Sequence, residues 1–262
     1  MMELLFDPLF RLPFTTGLLL SVLLPLLGLY LRLRQEWLAA LGFAHLAGAG
    51  GVLASVFMLP MLPAALALAG LGVFARGLFR GPGNDLYALM ILCGWSVMLL
   101  GAGLGQHARL LGQALVDGQL YFTGLEHLVV ALLLVVVAAV MLPRLSPSLL
   151  RAWLFPGHEE ANDVPVQRLV GLFNLLLAAA VGLAATAMGV MAAFALIFLP
   201  AWVAFALAPG WRAALWLSAA LGAGVYVLAF TAAMLLDQPF GPVLVGLMVL
   251  LSPLRMAAAS RG

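Results

Sequence analysis

The sequence contains no lysine, a single cysteine and very little charge. Only 8% of its 262 residues are charged, against about 25% in a soluble globular domain. So few charges could not cover a water-facing surface, which excludes an ordinary soluble fold. The lone Cys93 excludes an internal disulfide and a cysteine-rich metal cluster. Without lysine the chain also cannot form a Walker-type phosphate-binding loop, so any ATP chemistry must belong to another chain.

The charge distribution also disfavours nucleic-acid binding and a cleavable signal peptide. The formal charge of +2 is too small to indicate a nucleic-acid partner. Glu3 and Asp7 precede the first apolar run, where a cleavable signal peptide would carry basic residues. We therefore expect that run to remain as a permanent helix.

Hydrophobic residues make up 65% of the sequence and fall in long runs without period-2 alternation. Runs of about 18–25 apolar residues are typical of membrane-spanning helices. Within lipid every backbone N–H and C=O must be hydrogen-bonded inside the protein, which favours helices. The prediction is an all-α polytopic membrane protein, with residues 1–262 forming a single transmembrane domain. Its nine predicted spans are residues 13–31, 37–59, 61–79, 86–105, 125–142, 168–187, 190–208, 212–235 and 240–256.

The twelve arginines are distributed unequally between the two sides of these predicted spans. Only Arg11 and Arg109 fall on one side, and the other ten share the opposite side. Loops on the cytoplasmic side of a membrane are enriched in arginine and lysine. The distribution therefore predicts an N-terminus outside and a C-terminus inside.

The longest polar stretch joins the fifth and sixth predicted spans on the arginine-rich side, over residues 143–168. Three of the ten acidic residues fall close together within it, at Glu159, Glu160 and Asp163. The residues themselves allow two interpretations. The stretch is either an ordinary solvated loop or a short cytoplasmic helix that docks onto a partner.

Small residues are concentrated in the second predicted span. Gly42, Gly48, Gly50 and Gly51 are typical of a face on which helix backbones approach closely. Such a face would be needed around a central pathway, and equally in any tightly packed bundle.

Five stretches between about residues 18 and 251 are similar to motifs of one family of membrane proteins. They are YLRLRQEWLAALGFAHLAGAG, DGQLYFTGLEHL, FPGHEEANDVPVQRL, MGVMAAFALIFLPAWVAFAL and LLDQPFGPVLVG. The fitting positions include Ala44-His45, Gly118, Pro156 and Pro200-Ala201. Together the stretches resemble the permease subunits of ATP-binding-cassette importers for zinc and manganese.

The resemblance implies a multi-pass permease in the bacterial inner (cytoplasmic) membrane, importing a divalent transition metal, zinc or manganese. Such a permease is no enzyme and holds no cofactor, because ATP binds to a separate ATPase subunit and the metal ion is the substrate. The implied partners are that cytoplasmic ATPase, a periplasmic metal-binding protein and a second copy of the chain. Coupling to the ATPase is implied for Pro156, His158, Glu159, Glu160, Ala161, Asn162, Asp163 and Val164.

Three residues are candidates for the metal translocation pathway: His45, His127 and Asp237. His45 lies deep in the second predicted span, where an ionisable residue is a functional candidate by default. A neutral imidazole suits zinc. However, the family's acidic residue one helical turn earlier is Leu41 here, so the alternative for His45 is a packing histidine that is hydrogen-bonded to a neighbouring helix. The alternative for Asp237 is a structural role beside the last helix.

Other classes of transport protein and enzyme remain as alternatives. Because Leu41 replaces a carboxylate, the same importer architecture could carry a metal chelate or another small solute. A secondary carrier is expected to show inverted repeats and charged residues near the bilayer midplane, neither of which is clear in this sequence. An intramembrane protease is disfavoured because the H-E-x-x-H motif is absent.

Overall fold

The chain folds into a bundle of α-helices, as predicted. The computed structural model describes residues 8–79, 82–118, 120–155 and 166–259, and within these ranges it contains no β-strand. A short 3₁₀ helix, Leu120–Phe122, precedes the sixth α-helix. The α-helices are α1 (Pro8–Arg34), α2 (Leu38–Val56), α3 (Met61–Leu78), α4 (Gly83–Ala102), α5 (Gln106–Asp117), α6 (Leu125–Leu154), α7 (Val166–Met188), α8 (Val190–Leu207), α9 (Trp211–Leu236), α10 (Phe240–Val249) and α11 (Ser252–Ala259).

Eight of these helices, α1–α4 and α6–α9, are long and apolar enough to cross a membrane. The ninth predicted span corresponds to α10 and α11, which form a shorter apolar segment. The break between them falls just before Ser252-Pro253. Proline has no backbone N–H, so Pro253 cannot continue the helical hydrogen bonds of α10. The prediction of a polytopic all-α membrane protein is confirmed.

Two further helices differ from the sequence prediction. The first, α5, was not predicted, because its twelve residues mix polar and apolar side chains and form no long apolar run. The second, α6, was predicted to end at residue 142 but continues to Leu154 through Pro143 and Pro147. The predicted polar segment 143–168 therefore begins as helix. The proposed coupling residues from Pro156 to Val164 lie outside the described residues.

The spanning helices divide into an inner and an outer group. In α1, α2, α7 and α8, 61–72% of the most apolar window is buried within the protein. In α3, α4, α6 and α9 the buried share is only 22–33%. Leu132, Leu133 and Val136 on α6 are among the exposed apolar side chains of the outer group. Exposed leucine and valine in such numbers are compatible with a lipid surround, since lipid tails are as apolar as leucine.

Candidate functional site

His45 lies within α2, one of the inner helices, and is only 7% exposed. Its Nδ1–H donates a hydrogen bond to the backbone carbonyl of Leu41, 2.8 Å away and one turn earlier in the same helix. The bond orients the imidazole and leaves Nε2 as the nitrogen that could bind a cation. Nδ1 thus bonds within its own helix, whereas the packing alternative predicted a bond to a neighbouring helix.

The backbone of α4 packs directly against His45. A Cβ atom on Gly94 would lie 2.6 Å from the carbonyl carbon of His45 and 2.7 Å from its oxygen. Only glycine at this position allows so close an approach. The predicted small-residue face of α2 is used in the same way, because Gly42 packs on the backbone of Tyr87 and Gly50 on that of Ala64. His45 is therefore held between helices whose spacing is set by backbone contacts.

The other two pathway candidates lie at helix ends. His127 is in the first turn of α6, where its Nδ1 lies 3.7 Å from a carboxylate oxygen of Glu126 and has no hydrogen-bond partner among the described residues. Asp237 is exposed and has left-handed backbone angles, φ 50° and ψ 47°, at the end of α9. Its N–H donates to the carbonyl of Ala233, so its backbone terminates the helix.

The described residues do not bring His45, His127 and Asp237 together as one metal site. Among those residues, no group of three or more histidine, cysteine, aspartate or glutamate side chains is placed to hold a metal ion. A single imidazole falls short of the coordination that zinc or manganese adopts. The assignment of these three residues to a translocation pathway stays a prediction.

A polar network ties three helices and one loop together at one end of the bundle. Glu36, between α1 and α2, accepts hydrogen bonds from Arg34 and from Arg76 Nη2, the latter at 3.4 Å. Arg34 also donates from Nη1 to Oδ1 of the buried Asn174 on α7, at 2.8 Å. The side chains of Arg34 and Glu36 are each 14% exposed, and that of Arg76 is 22% exposed. We call Arg34, Glu36, Arg76 and Asn174 the arginine network.

Two further arginines stack on aromatic rings at the same end. Arg255 donates to the carbonyl of Trp202 at 2.6 Å, and its guanidinium lies 4.5 Å from the centre of the Trp202 ring. Arg32 lies over the rings of Trp37 and Phe205. Arginine on an aromatic face is stabilised by cation–π attraction. The structure thus places Arg32, Arg34, Arg76 and Arg255 at one end of the bundle, in agreement with the distribution predicted from the sequence.

Sequence reasoning missed Glu36 and Asn174 as members of this network. Glu36 has a usable signal, since it lies two residues after Arg34 in a loop of only three residues. Asn174 is one polar residue in an apolar helix, and a buried polar side chain requires a hydrogen-bond partner. That partner is 140 residues away in the sequence, which no local pattern could indicate.

The apolar spanning helices and the arginine-bearing end identify a multi-pass membrane protein, and a histidine is buried within it. The profile of the ABC 3 transport family matches residues 7–259, and the chain belongs to that family. It is a permease of an ATP-binding-cassette importer. The resemblance proposed from the five sequence stretches is confirmed. No curated protein matches the chain.

Two solved structures have a similar fold. PsaBC from Streptococcus pneumoniae, in complex with a Fab, superposes with a TM-score of 0.82 at 15% sequence identity, covering 98% of this chain and 93% of that chain. An inward-facing structure described as a metal-chelate type ABC transporter superposes with a TM-score of 0.77 at 16% identity, covering 95% of this chain and 85% of that chain. At these identities the likeness establishes the fold.

Proposed function

We propose that this permease imports a divalent transition metal, zinc or manganese, across the bacterial inner membrane. The observation that carries the proposal is His45. Within the predicted spans of the described residues, it is the one aspartate, glutamate, histidine or arginine that lies deep in the membrane. Such residues are rare in spanning helices and mark substrate pathways. Its Nε2 is the nitrogen left to meet a cation, because Nδ1 is bonded to Leu41.

The proposed complex contains a second copy of the chain, a cytoplasmic ATPase and a periplasmic metal-binding protein. The second copy is inferred from the resemblance to the importer family. The ATPase is required because a chain without lysine has no Walker-type loop for ATP. The permease itself is proposed to be no enzyme and to hold no cofactor.

The first test recovers the tagged chain from native membranes in mild detergent and identifies its partners by mass spectrometry. We expect an ATPase in equal amount, together with a binding protein. Reversing the charge of Glu159 and Glu160 to lysine should sharply lower recovery of the ATPase, because these acids lie in the predicted coupling segment. The control is Glu126→Lys at the opposite end of the protein, where the glutamate side chain is 69% exposed.

Two results would count against this assembly. Undiminished ATPase recovery with the double lysine variant would remove the coupling role of Glu159 and Glu160. Recovery of the chain alone, under conditions that preserve a known importer, would favour a self-contained secondary carrier.

The second test addresses His45. Replacing it by alanine is expected to lower uptake of radioactive zinc or manganese at limiting concentration by at least about tenfold, since losing even a hydrogen-bond partner of a metal ligand costs about 10–100-fold in affinity. Recovery of the ATPase should stay unchanged, because loss of a metal ligand lowers uptake without disturbing the assembly. Loss of a residue essential for packing would disturb both. Normal uptake by the alanine variant would reduce His45 to a packing role.

A metal chelate is the second candidate substrate. Leu41 favours it, because an apolar side chain stands where a carboxylate would help to bind a free cation. The uptake assay distinguishes the two substrates when the metal is supplied either free or bound to a siderophore-like chelator. Uptake that requires the chelator and is unaffected by His45→Ala would select the chelate.

A further inference from the structure

An apolar groove of about 890 Å³ runs between α1, α6 and α9. Its walls are formed mainly by leucine, valine and alanine side chains, with one or more contributed by each helix. Leu19 and Val22 come from α1, Val135 and Ala139 from α6, and Leu215 from α9. No side chain among the described residues that line its middle is charged. An apolar chain would fill such a groove without desolvating polar groups along its walls.

The length of the groove matches one leaflet of a bilayer. Along α1 it extends from Leu18 to Tyr30, which at 1.5 Å per residue is about 18 Å. Half of a hydrocarbon core is about 15 Å thick. The groove occupies the half of α1 that leads to Arg32 and Arg34, and on α9 it includes the first residues of the helix. It therefore lies in the leaflet at the arginine-bearing end.

Polar groups line the groove only at that end. They are the hydroxyl groups of Tyr30 and Ser146, the indole of Trp211 and the guanidinium of Arg212. The Trp211 Nε1–H is buried, and the side chains of Trp211 and Ser146 interact with the Tyr30 hydroxyl. Arg212 is exposed, and none of the ion pairs among the described residues includes it. The apolar groove thus ends at polar side chains beside one exposed cation.

The chemistry of these groups indicates which kind of molecule fills the groove. A transmembrane helix from a second copy would cover the leucines but would leave the Arg212 charge without an acceptor. A glycerophospholipid satisfies both ends, because its acyl chain matches the apolar walls and its phosphate accepts charge-assisted hydrogen bonds from arginine. Basic pockets between spanning helices on the cytoplasmic side bind anionic headgroups.

We propose that the groove is a binding site for an anionic glycerophospholipid of the cytoplasmic leaflet. One acyl chain lies between α1, α6 and α9, and the phosphate binds at Arg212, beside the Trp211 ring. Pro143 and Pro147 of α6 also line the groove. The lipid would therefore brace the part of α6 that leads into the predicted coupling segment against α1.

Trp211 provides a direct readout. The purified chain would be placed in nanodiscs that contain increasing fractions of phosphatidylglycerol or phosphatidylcholine with brominated acyl chains. Subtracting the fluorescence of a Trp211→Phe variant isolates the Trp211 signal from the other five tryptophans. We expect half-maximal quenching of Trp211 at about fivefold less brominated phosphatidylglycerol than phosphatidylcholine, because one arginine near the membrane surface favours an anionic lipid by about that factor.

Matched variants separate a specific site from bulk lipid. Arg212→Gln should abolish the preference and Arg212→Lys should retain it, whereas Arg144→Gln, an exposed arginine outside the groove, should have no effect. Trp216, 79% exposed on the same helix, should be quenched equally by both lipids.

Two outcomes would overturn the proposal. Equal quenching of Trp211 by both lipids, unchanged in Arg212→Gln, would show only bulk lipid. Protection of Trp211 from both lipids, with cross-linking between copies through Ser146→Cys in a Cys93→Ala chain, would show that a second copy covers the groove.

Discussion

Replacing Glu36 by alanine is expected to destabilise the permease by about 3 kcal/mol, the lower end of the range for breaking a buried ion pair. The Glu36 carboxylate is shared by Arg34 and Arg76. Without it, two cations whose side chains are only 14% and 22% exposed face each other without an anion between them. The residual exposure lets water screen part of the repulsion, which is why the lower end of the range applies.

The measurement is thermal unfolding of the purified chain in detergent, followed by size-exclusion chromatography. A loss of about 3 kcal/mol corresponds to a fall in Tm of about 6–12 °C for a chain of this size, on the scale known for soluble proteins. Asp85→Ala is the matched control, because Asp85 is an exposed acid at the start of α4, and it should change stability by less than about 0.5 kcal/mol. Equal Tm values for the two variants would mean that the arginine network contributes nothing to the fold.

The lipid environment restricts the backbone of a spanning segment to helix, which explains why the spanning helices could be predicted from the sequence. An apolar run of sufficient length has to be helical in a membrane, so α2, α3 and α8 were predicted to within a few residues. The amphipathic helix α5 carries no such constraint and was missed. The extension of α6 was missed because Pro143 and Pro147 indicate a helix end in a soluble protein, whereas spanning helices tolerate proline.

The sequence singles out His45 but does not reveal its surroundings. His45 stood out because an ionisable side chain deep in a span is rare. Its contact with Gly94 could not be predicted, since sequence periodicity identifies a packing face but not the helix that packs on it. The bond between Arg34 and Asn174 was hidden for the same reason, because it joins residues 140 positions apart.

The second large effect is expected at Gly28, where α1 packs against α8. A Cβ atom there would overlap the backbone carbonyl oxygen of Ile197 and lie 3.0 Å from the Cβ of Ala201. Backbone atoms cannot rotate away as a flexible side chain does, so the two helices would have to separate. Added volume in a packed core costs about 1–3 kcal/mol, which we expect for Gly28→Ala, and Gly28→Leu should prevent recovery of folded protein.

Gly70→Ala is the matched control and is expected to have the opposite sign. Gly70 lies within α3, and no atom outside its own helix backbone is within 4 Å of the position that a Cβ would take. Alanine there should stabilise the helix by up to about 1 kcal/mol. Unfolding in detergent measures both variants side by side. If both alanine substitutions raise the Tm, α1 and α8 do not pack through Gly28. The Pro200-Ala201 motif of α8 then requires a role other than contact with this glycine. If only Gly28→Ala lowers it, Ala201 of that motif has a structural role, because it helps to hold α8 against α1 at Gly28.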